Sequence, residues 1–327
     1  KLILLYLIIG FYSLNSLSQT TETFDSPGTI TWTVPGGVDE IEVEAWGAGG
    51  AGGNATTGAA GGGGSGAYSK SILSVTPGEE YSITVGKGGT PVSMFGGAVD
   101  GGESKVAPSN NISTSNVLAK GGTSVGGTNT PSGAAGGLAI NGTGNDTKLD
   151  GNDGGDASGG SSGAGGDAPI GGNGGGTVNN NSSGNGGKDP GGGGSGAAST
   201  SGASGGTGGD GQIKITYTRI IQTTSGNWND TSNWENGVVP TLSDNAAIDD
   251  GITSTLIQDQ DVNNLSLNNN SQVDINSGFS LNVKANITND SQFTGDGEVI
   301  LNGSTNQELK GDGEYENLRL NNANGAD

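Results

Sequence analysis

The stretch from residue 47 to residue 211 constrains the fold of this chain most, because it holds 55 of the 69 glycines. Glycine loses more backbone entropy on folding than any other residue, which costs about 0.5–1 kcal/mol relative to alanine inside regular structure. A run rich in Gly, Ser, Asn and Ala without a strict period is typical of disordered chain. Composition alone therefore leaves disorder open.

The ordered alternative for this stretch is a bundle of glycine helices. The polyproline II conformation has three residues per turn, and residues without side chains can pack at its crowded faces. Its backbone groups have no partner within the helix, so neighbouring helices must supply the hydrogen bonds. Local three-residue spacing favours this alternative and occurs at Gly160, Gly163 and Gly166, at Gly172 and Gly175, at Gly184 and Gly187, and at Gly205, Gly208 and Gly211.

Strand patterns frame the glycine-rich stretch on both sides. Residues 29–34 and 41–46 alternate apolar and polar around the turn Pro35-Gly36-Gly37, which is the period of a half-buried strand. A second pair, 67–75 and 81–85, lies within the stretch, and 212–218 follows it. Strands at both ends need partners, so we expect one β domain over residues 19–218 instead of a free linker.

Three blocks in this region carry a family resemblance. TITWTVPGGVDEIEVEAWGAGGAGG, GGGGSGAYSKSILSVTPGEEYSITVGKGG and GGDGQIKITYT resemble the glycine-rich domain of bacterial and phage proteins, over about residues 24–218. The resemblance implies a small β-sandwich that carries polyglycine II helices, of the kind found in surface proteins and tail-fibre adhesins. The middle, residues 110–200, is rich in Asn, Ser and Thr and departs from this pattern, so its order stays open.

Composition excludes several classes of function. The chain has no cysteine and no histidine, which excludes disulfides, thiolate nucleophiles and imidazole-based triads or metal sites. A net charge of −21 argues against a nucleic-acid partner, because no basic patch can displace phosphate counterions. The same charge favours solubility and allows divalent cation binding.

The first residues predict export. Lys1 precedes an apolar run over residues 2–11, and Ser16-Leu17-Ser18 supplies small residues for a signal peptidase. We expect a signal peptide over residues 1–18 with cleavage before Gln19, and no stable membrane span afterwards, since the apolar run is short for a bilayer. The expected location is extracellular, at a bacterial cell surface. The missing initiator Met and the uncapped last repeat predict that the chain is part of a larger protein.

Two short motifs in the glycine-rich stretch suggest calcium. Gly144-Asn145-Asp146 and Gly151-Asn152-Asp153 resemble the nonapeptide calcium repeat of β-roll toxins, so Asp146, Asp153 and the nearby Asp156 are candidate calcium ligands. Their spacing is seven residues instead of nine, and solvent-exposed turns are the alternative. No other cofactor is expected.

Beyond residue 222 the composition changes to 10 glycines and 20 asparagines. Short segments with alternate apolar residues are separated by polar turns, which predicts the stacked turns of a parallel β-helix over residues 225–327, joined by a linker at 219–224. SGNWNDTSNWENGVVPTLSDNAAI with LSLNNNSQVDINSGFSLNV resembles the β-helical modules of large secreted surface proteins from Bacteroidetes-type bacteria.

Two groups of residues in this second module are candidate sites. Trp228 and Trp234 can form a platform for a carbohydrate ligand or cap the first turn of the β structure, and packing is the commoner role of such rings. Acidic residues that a glycosidase-like carboxylate pair would need are also present, but they equally fit solvated turns: Asp249, Asp250, Asp259 and Asp261.

The sequence as a whole predicts an all-β chain: a small β-sandwich with glycine-rich loops or polyglycine II helices, followed by a partial parallel β-helix. We expect a non-catalytic exported surface protein, an adhesin or a spacer, that contacts surface glycans or the surface of a host or neighbouring cell. One alternative is the non-catalytic N-terminal part of a secreted polysaccharide lyase or glycosidase. Another is ice or surface binding by flat Thr-x-Thr faces, but only residues 29–33 have this pattern, and we interpret them as a core strand.

Overall fold

The computed structural model describes residues 19–91, 98–111, 115–139, 142–143 and 146–327. These residues form strands, turns and extended glycine-rich segments, with a 3-10 turn at Thr231–Asn233 and no α-helix among them. Within the described residues, no helix has the length and apolar character needed to cross a membrane. The chain divides into two compact units, residues 20–217 and residues 218–327. The expected signal peptide, residues 1–18, lies outside the described residues.

The first unit is built on two antiparallel sheets. The first sheet has the order β1 (Thr20–Phe24), β11 (Gln212–Tyr217), β3 (Glu40–Trp46), β5 (Tyr68–Ser74) and β9 (Thr147–Leu149). The second sheet has the order β2 (Gly28–Thr33), β6 (Glu80–Val85), β7 (Ser104–Pro108) and β8 (Val117–Ala119). The all-β prediction is confirmed, and the five strands expected from alternation correspond to β2, β3, β5, β6 and β11.

A shared apolar core joins the two sheets. Ile41, Val43 and Ile215 of the first sheet pack in one buried cluster with Ile83 and Val106 of the second. Alternate residues along each strand face this cluster, because side chains of a strand point to opposite faces of the sheet. The unit is therefore a small sandwich whose strands β3 and β11 lead directly into and out of the glycine-rich stretch.

The glycine-rich stretch is held by lateral backbone hydrogen bonds with a repeat of three. Residues of segment 47–53 that are three apart donate to one neighbouring segment, 61–67: Gly47 to Ala67, Gly50 to Gly64 and Gly53 to Gly61. The intervening positions donate to other neighbours, such as Gly49 to Gly209 and Gly52 to Gly206. A repeat of three residues is that of the polyproline II helix, so each segment serves three neighbours from three faces.

Segment 60–67 shows the same three-way pattern at the centre of the bundle. Its N–H groups donate in turn to three segments that are far apart in the sequence. The first segment accepts from Ala60 (at Ala197), Gly63 (at Gly194) and Gly66 (at Gly191). The second accepts from Gly61 (at Thr130), Gly64 (at Thr123) and Ala67 (at Lys120), and the third accepts from Gly62 (at Gly155) and Ser65 (at Asn152). The lengths of these bonds lie between 2.8 and 3.0 Å. Segments between residues 110 and 200, namely 120–130, 152–155 and 191–197, therefore take part in the bundle. A short antiparallel pair, β4 (Gly58–Ala59) with β10 (Ala198–Ser199), extends it.

Close approach of neighbouring backbones explains why glycine dominates. A Cβ added to Gly62 would lie closer than 3.0 Å to the carbonyl oxygen of Ala164, and one added to Gly63 would lie closer than 3.0 Å to that of Gly50. Real Cβ atoms essentially never approach backbone so closely. The glycines are therefore required by packing between backbones, which polyproline-like chains achieve only without side chains at the contact faces.

The second unit is a parallel β-solenoid of about four turns. Three faces run along it, and every strand pairs in parallel with the strand one turn away. The first face contains β12 (Ile220–Gln222), β14 (Ala246–Ile248), β17 (Leu265–Leu267), β20 (Ile287–Asn289) and β23 (Leu309–Lys310). The second contains β13 (Gly226–Asn227), β15 (Thr253–Leu256), β18 (Gln272–Ile275), β21 (Gln292–Thr294) and β24 (Glu314–Tyr315). The third contains β16 (Gln260–Val262), β19 (Ser280–Val283), β22 (Glu298–Leu301) and β25 (Leu318–Leu320).

The solenoid interior is a stack of aliphatic side chains. Leu265 and Ile287 are partners in adjacent turns, and both lie in the buried cluster with Val273, Leu281 and Val299. Most of the short strands contribute one or two buried apolar residues to this stack. Each strand is too small to form a core alone, so the turns stabilise one another by stacking. Strand β12 lies in residues 219–224, for which the sequence predicted a linker, and it forms the first strand of the solenoid by pairing with β14.

Candidate functional site

The predicted calcium ligands occupy two separate places in the first unit. Asp153 and Asp156 lie along a glycine segment of the bundle, whereas Asp146 lies beside β5 and accepts a hydrogen bond from the Ile72 backbone N–H at 2.7 Å. Asn145 of the first motif lies outside the described residues. Among the residues that are described, no group of three or more His, Cys, Asp or Glu side chains is placed to hold a metal ion.

Asp150, Asp153 and Asp156 form an aspartate ladder along one edge of the bundle. Their carboxylates accept hydrogen bonds from successive backbone N–H groups of an antiparallel neighbour: Ala139 at 2.6 Å, Gly136 at 2.9 Å and Gly133 at 2.8 Å. The donors and the acceptors are each spaced three residues apart along their segments, so the aspartate ladder has the same three-residue repeat as the glycine helices. Each carboxylate takes the place of a main-chain carbonyl that a further neighbouring segment would otherwise supply.

Other aspartates of the first unit act in the same way. Four more carboxylates accept from backbone N–H groups at 2.6–2.7 Å: Asp100 from Ser124, Asp167 from Gly174, Asp189 from Asp210, and Asp210 from Gly88. Hydrogen bonds to a charged acceptor are shorter and stronger than neutral ones. Sequence reasoning missed this role of the acidic residues. The three-residue spacing of residues 150, 153 and 156 was the available sign, because the glycines have the same spacing.

Trp228 and Trp234 are both buried, with exposed fractions of 0% and 3%. Their rings meet edge to face at 5.0 Å between centroids, and the Trp234 indole N–H donates to the Trp228 carbonyl at 2.7 Å. Trp228 follows β13 and lies in the apolar cluster at the first turn of the solenoid. Because neither ring has a face open to a sugar, the pair fits the packing interpretation and does not form a carbohydrate platform.

Of the four aspartates considered for catalysis, three lie between strands of the solenoid and Asp261 lies on a strand. Asp259 accepts from the backbone N–H and hydroxyl of Ser280, and Asp250 accepts from the Asn270 amide. Asp249 accepts from the Asp250 backbone N–H at 3.0 Å, while Asp261 is an outward residue of β16. The Asp250 and Asp259 contacts join adjacent turns. Asp250, Asp259 and Asp261 are exposed, which fits the interpretation as solvated acidic residues.

Asparagine side chains add a second set of contacts between turns. Asn245 accepts from the amides of Asn263 and Asn264 at 3.0 and 2.8 Å. Asn264 accepts from the Asn286 backbone N–H at 2.7 Å, and Asn286 accepts in turn from Glu308. The asparagine ladder at this corner thus stabilises the stack through side-chain hydrogen bonds from one turn to the next.

The Thr-x-Thr pattern lies on β2, which is an edge strand and not the expected core strand. Trp32 is buried, but Thr29, Thr31 and Thr33 are exposed. Thr29 contacts Thr84 of β6, hydroxyl to hydroxyl, at 3.0 Å. The difference arises because the three threonines lie on the face of the sheet opposite to Trp32, and because β2 ends the sheet, so that Ile30 on the inner face is also half exposed.

The comparison with known families agrees with the geometry of the first unit. The model of the family described as the glycine-rich domain matches residues 23–218, the span of the sandwich and its glycine bundle. No curated protein matches the chain. The matched residues make up more than half of the sequence, and the chain therefore belongs to the glycine-rich domain family.

Proposed function

We propose that this chain is a non-catalytic, exported cell-surface protein that serves as an adhesin or as a spacer in a larger modular assembly. The observation that carries the proposal is the bundle itself, in which successive N–H groups of one segment bind three different neighbours. Such a bundle fixes its exposed loops through the main chain and needs few large apolar side chains. That construction suits a rigid presenting scaffold whose contacts come from polar loop residues.

The second unit supports the same role. Stacked turns that each contact only their neighbours produce an elongated module, and its corners are joined by the asparagine ladder. The resemblance to β-helical modules of secreted surface proteins and the leader-like residues 1–18 further support export. A net charge of −21 favours solubility outside the cell. In this proposal the partners are glycans or the surface of a host or neighbouring cell.

The location is tested on intact cells that produce the protein. An antibody against residues 19–327 should label intact cells, and brief treatment of those cells with protease should remove the labelling. Labelling that appears only after lysis would contradict export. A panel of polysaccharides incubated with the purified chain should release no new reducing ends, since we propose no catalytic site; sustained release that survives further purification would contradict a non-catalytic role.

A further inference from the structure

Strand β2 presents a free sheet edge. It pairs with β6 along one side, and on its other side none of the described strands pairs with it. Thr29, Ile30, Thr31 and Thr33 are exposed. Natural proteins protect such edges with charges, proline or bulges, but β2 reads GTITWT and carries neither proline nor a charged residue. The free edge is therefore available for backbone pairing.

An apolar cleft opens beside this edge, between the two sheets of the sandwich. Its volume is about 180 Å³, and its apolar walls are Phe24, Ile30, Ile83 and Val85. Ile83 is fully buried, whereas Ile30 is 50% exposed and stands at the mouth. Polar residues of the β1–β2 turn, among them Asp25, form the rim.

The size of the cleft limits what can occupy it. An apolar cavity of about 150 Å³ accommodates a benzene-sized group, whereas pockets for larger ligands start at about 300 Å³. The cleft at β2 thus suits one aromatic or branched aliphatic side chain. A free strand edge next to a single apolar pocket is the combination by which sheets bind extended peptides: main-chain hydrogen bonds supply affinity, and the pocket selects a side chain.

We propose that β2 and the adjacent cleft bind an extended peptide segment of neutral or basic character that carries one bulky apolar side chain. The peptide adds a strand to the second sheet, and its apolar side chain enters the cleft over Phe24 and Ile83. Charge favours this partner over a second copy, since the chain carries −21 and Asp25 lies at the rim. The inference goes beyond the proposed function, because it holds wherever the protein resides.

The test uses the full chain and a labelled nine-residue peptide of threonine and serine, with phenylalanine at its centre and lysine at each end. Fluorescence anisotropy measures binding. Replacing the central phenylalanine by alanine should weaken binding about tenfold or more, because the buried apolar area is lost. Amide exchange at Thr29, Thr31 and Thr33 should slow when the phenylalanine peptide is added, because the N–H groups of these alternate residues point to the free edge while that of Ile30 points to β6.

Two protein variants locate the site. Ile30→Lys should weaken binding about tenfold or more, because it places a charge at the mouth of the cleft. Ile72→Lys is the matched control: Ile72 is 49% exposed on β5 of the other sheet, and its substitution should leave binding unchanged. Circular dichroism melts confirm that both variants fold.

Three results would overturn the proposal. The first is an absence of binding up to about 1 mM peptide, the weakest affinity worth assigning to a site. The second is equal binding of the phenylalanine and alanine peptides, or equal weakening by Ile30→Lys and Ile72→Lys. The third is a dimer of the unmodified chain in sedimentation velocity that Ile30→Lys converts to monomer, since a second copy would then occupy β2.

Discussion

The Asp153 carboxylate accepts a hydrogen bond from the backbone N–H of Gly136 at 2.9 Å. Gly136 is buried, while Asp153 is exposed, so a surface side chain satisfies a main-chain donor of the bundle. The same relation repeats three residues away in both directions, at Asp150 and Asp156. The acidic composition of the first unit is thus part of its backbone hydrogen bonding.

Removing this acceptor should destabilise the first unit. Asp153→Ala leaves the buried Gly136 N–H without its partner, and we expect the free energy of unfolding to fall by about 1–3 kcal/mol. Asp153→Asn keeps an acceptor oxygen and should lose less. Asp39→Ala is the control, because Asp39 is exposed and its carboxylate has no hydrogen bond among the described residues. Urea unfolding measures all three; equal stability of D153A and D39A would contradict the role given to Asp153.

Adding a single methyl group at the centre of the bundle should be far more harmful than adding one at its surface. Gly63→Ala forces a Cβ against the backbone of Gly50 and Ala51, and we expect a loss of about 1–3 kcal/mol or more. Gly176→Ala is the matched control, since nothing lies within 4 Å of its added Cβ, and its effect should stay within about 0.5 kcal/mol. Thermal melts of the two variants give the comparison. Two similar midpoints would show that neighbouring backbones do not pack against Gly63.

Calcium removal should leave the fold unchanged. Asp146, Asp153 and Asp156 already accept backbone hydrogen bonds, and Asp146 is separate from the aspartate ladder. We therefore expect the melting temperature to be the same in excess EDTA and in millimolar calcium. A melting temperature that rises with calcium concentration would instead indicate a site that binds the folded state.

Alkaline pH should destabilise both units. Burial raises the pKa of Tyr81 to about 12, with Glu79 nearby as a further cause, and burial also raises the pKa of Tyr315 to about 12. In the unfolded chain these hydroxyls ionise near their ordinary value of 10.0. The stability is thus fully present below pH 10 and is lost as the pH rises towards 12. Urea midpoints measured across this range should fall, and Tyr81→Phe should reduce the fall for the first unit. A flat profile would contradict the burial of these hydroxyls.

The buried tryptophan pair should be essential to the first turn of the solenoid. Trp234→Ala removes a ring that is 3% exposed and packs against Trp228, and we expect a loss of about 3–5 kcal/mol. Leu320→Ala, at a residue that is 59% exposed, should change stability by about 0.5 kcal/mol or less. Unfolding curves measure both variants. A W234A chain that unfolds like the parent would contradict the packing role of Trp234.

Local patterns in the sequence predicted the elements of this fold but not how they are assembled. Alternation identified β3 and β11, and the three-residue spacing of Gly205, Gly208 and Gly211 corresponds to one hydrogen-bonded face, on which Gly208 donates to Gly89 and Gly211 to Gly86. The segments that surround segment 60–67 could not be predicted, because near-identical glycine runs offer no side chains to distinguish one neighbour from another.

The candidate sites show a similar division. The sequence placed Trp228 and Trp234 at the start of the solenoid, yet it could not decide between packing and ligand contact, since that depends on burial. Asp146, Asp153 and Asp156 were compared with a calcium motif, whereas in the structure they accept hydrogen bonds from backbone N–H groups more than ten residues away in the sequence. A local sequence motif contains no information about which distant backbone N–H group will donate to a side chain.

The most direct test of this account is residue-resolved amide hydrogen exchange across residues 47–67 and 191–209 of the folded chain. Lateral hydrogen bonding with a repeat of three predicts slow exchange at consecutive glycines, with Gly62, Gly63 and Gly64 among the slowest, because each donates to a different neighbour inside the bundle. Exchange of these amides at the rate of an unstructured chain would contradict the ordered glycine bundle on which the account depends.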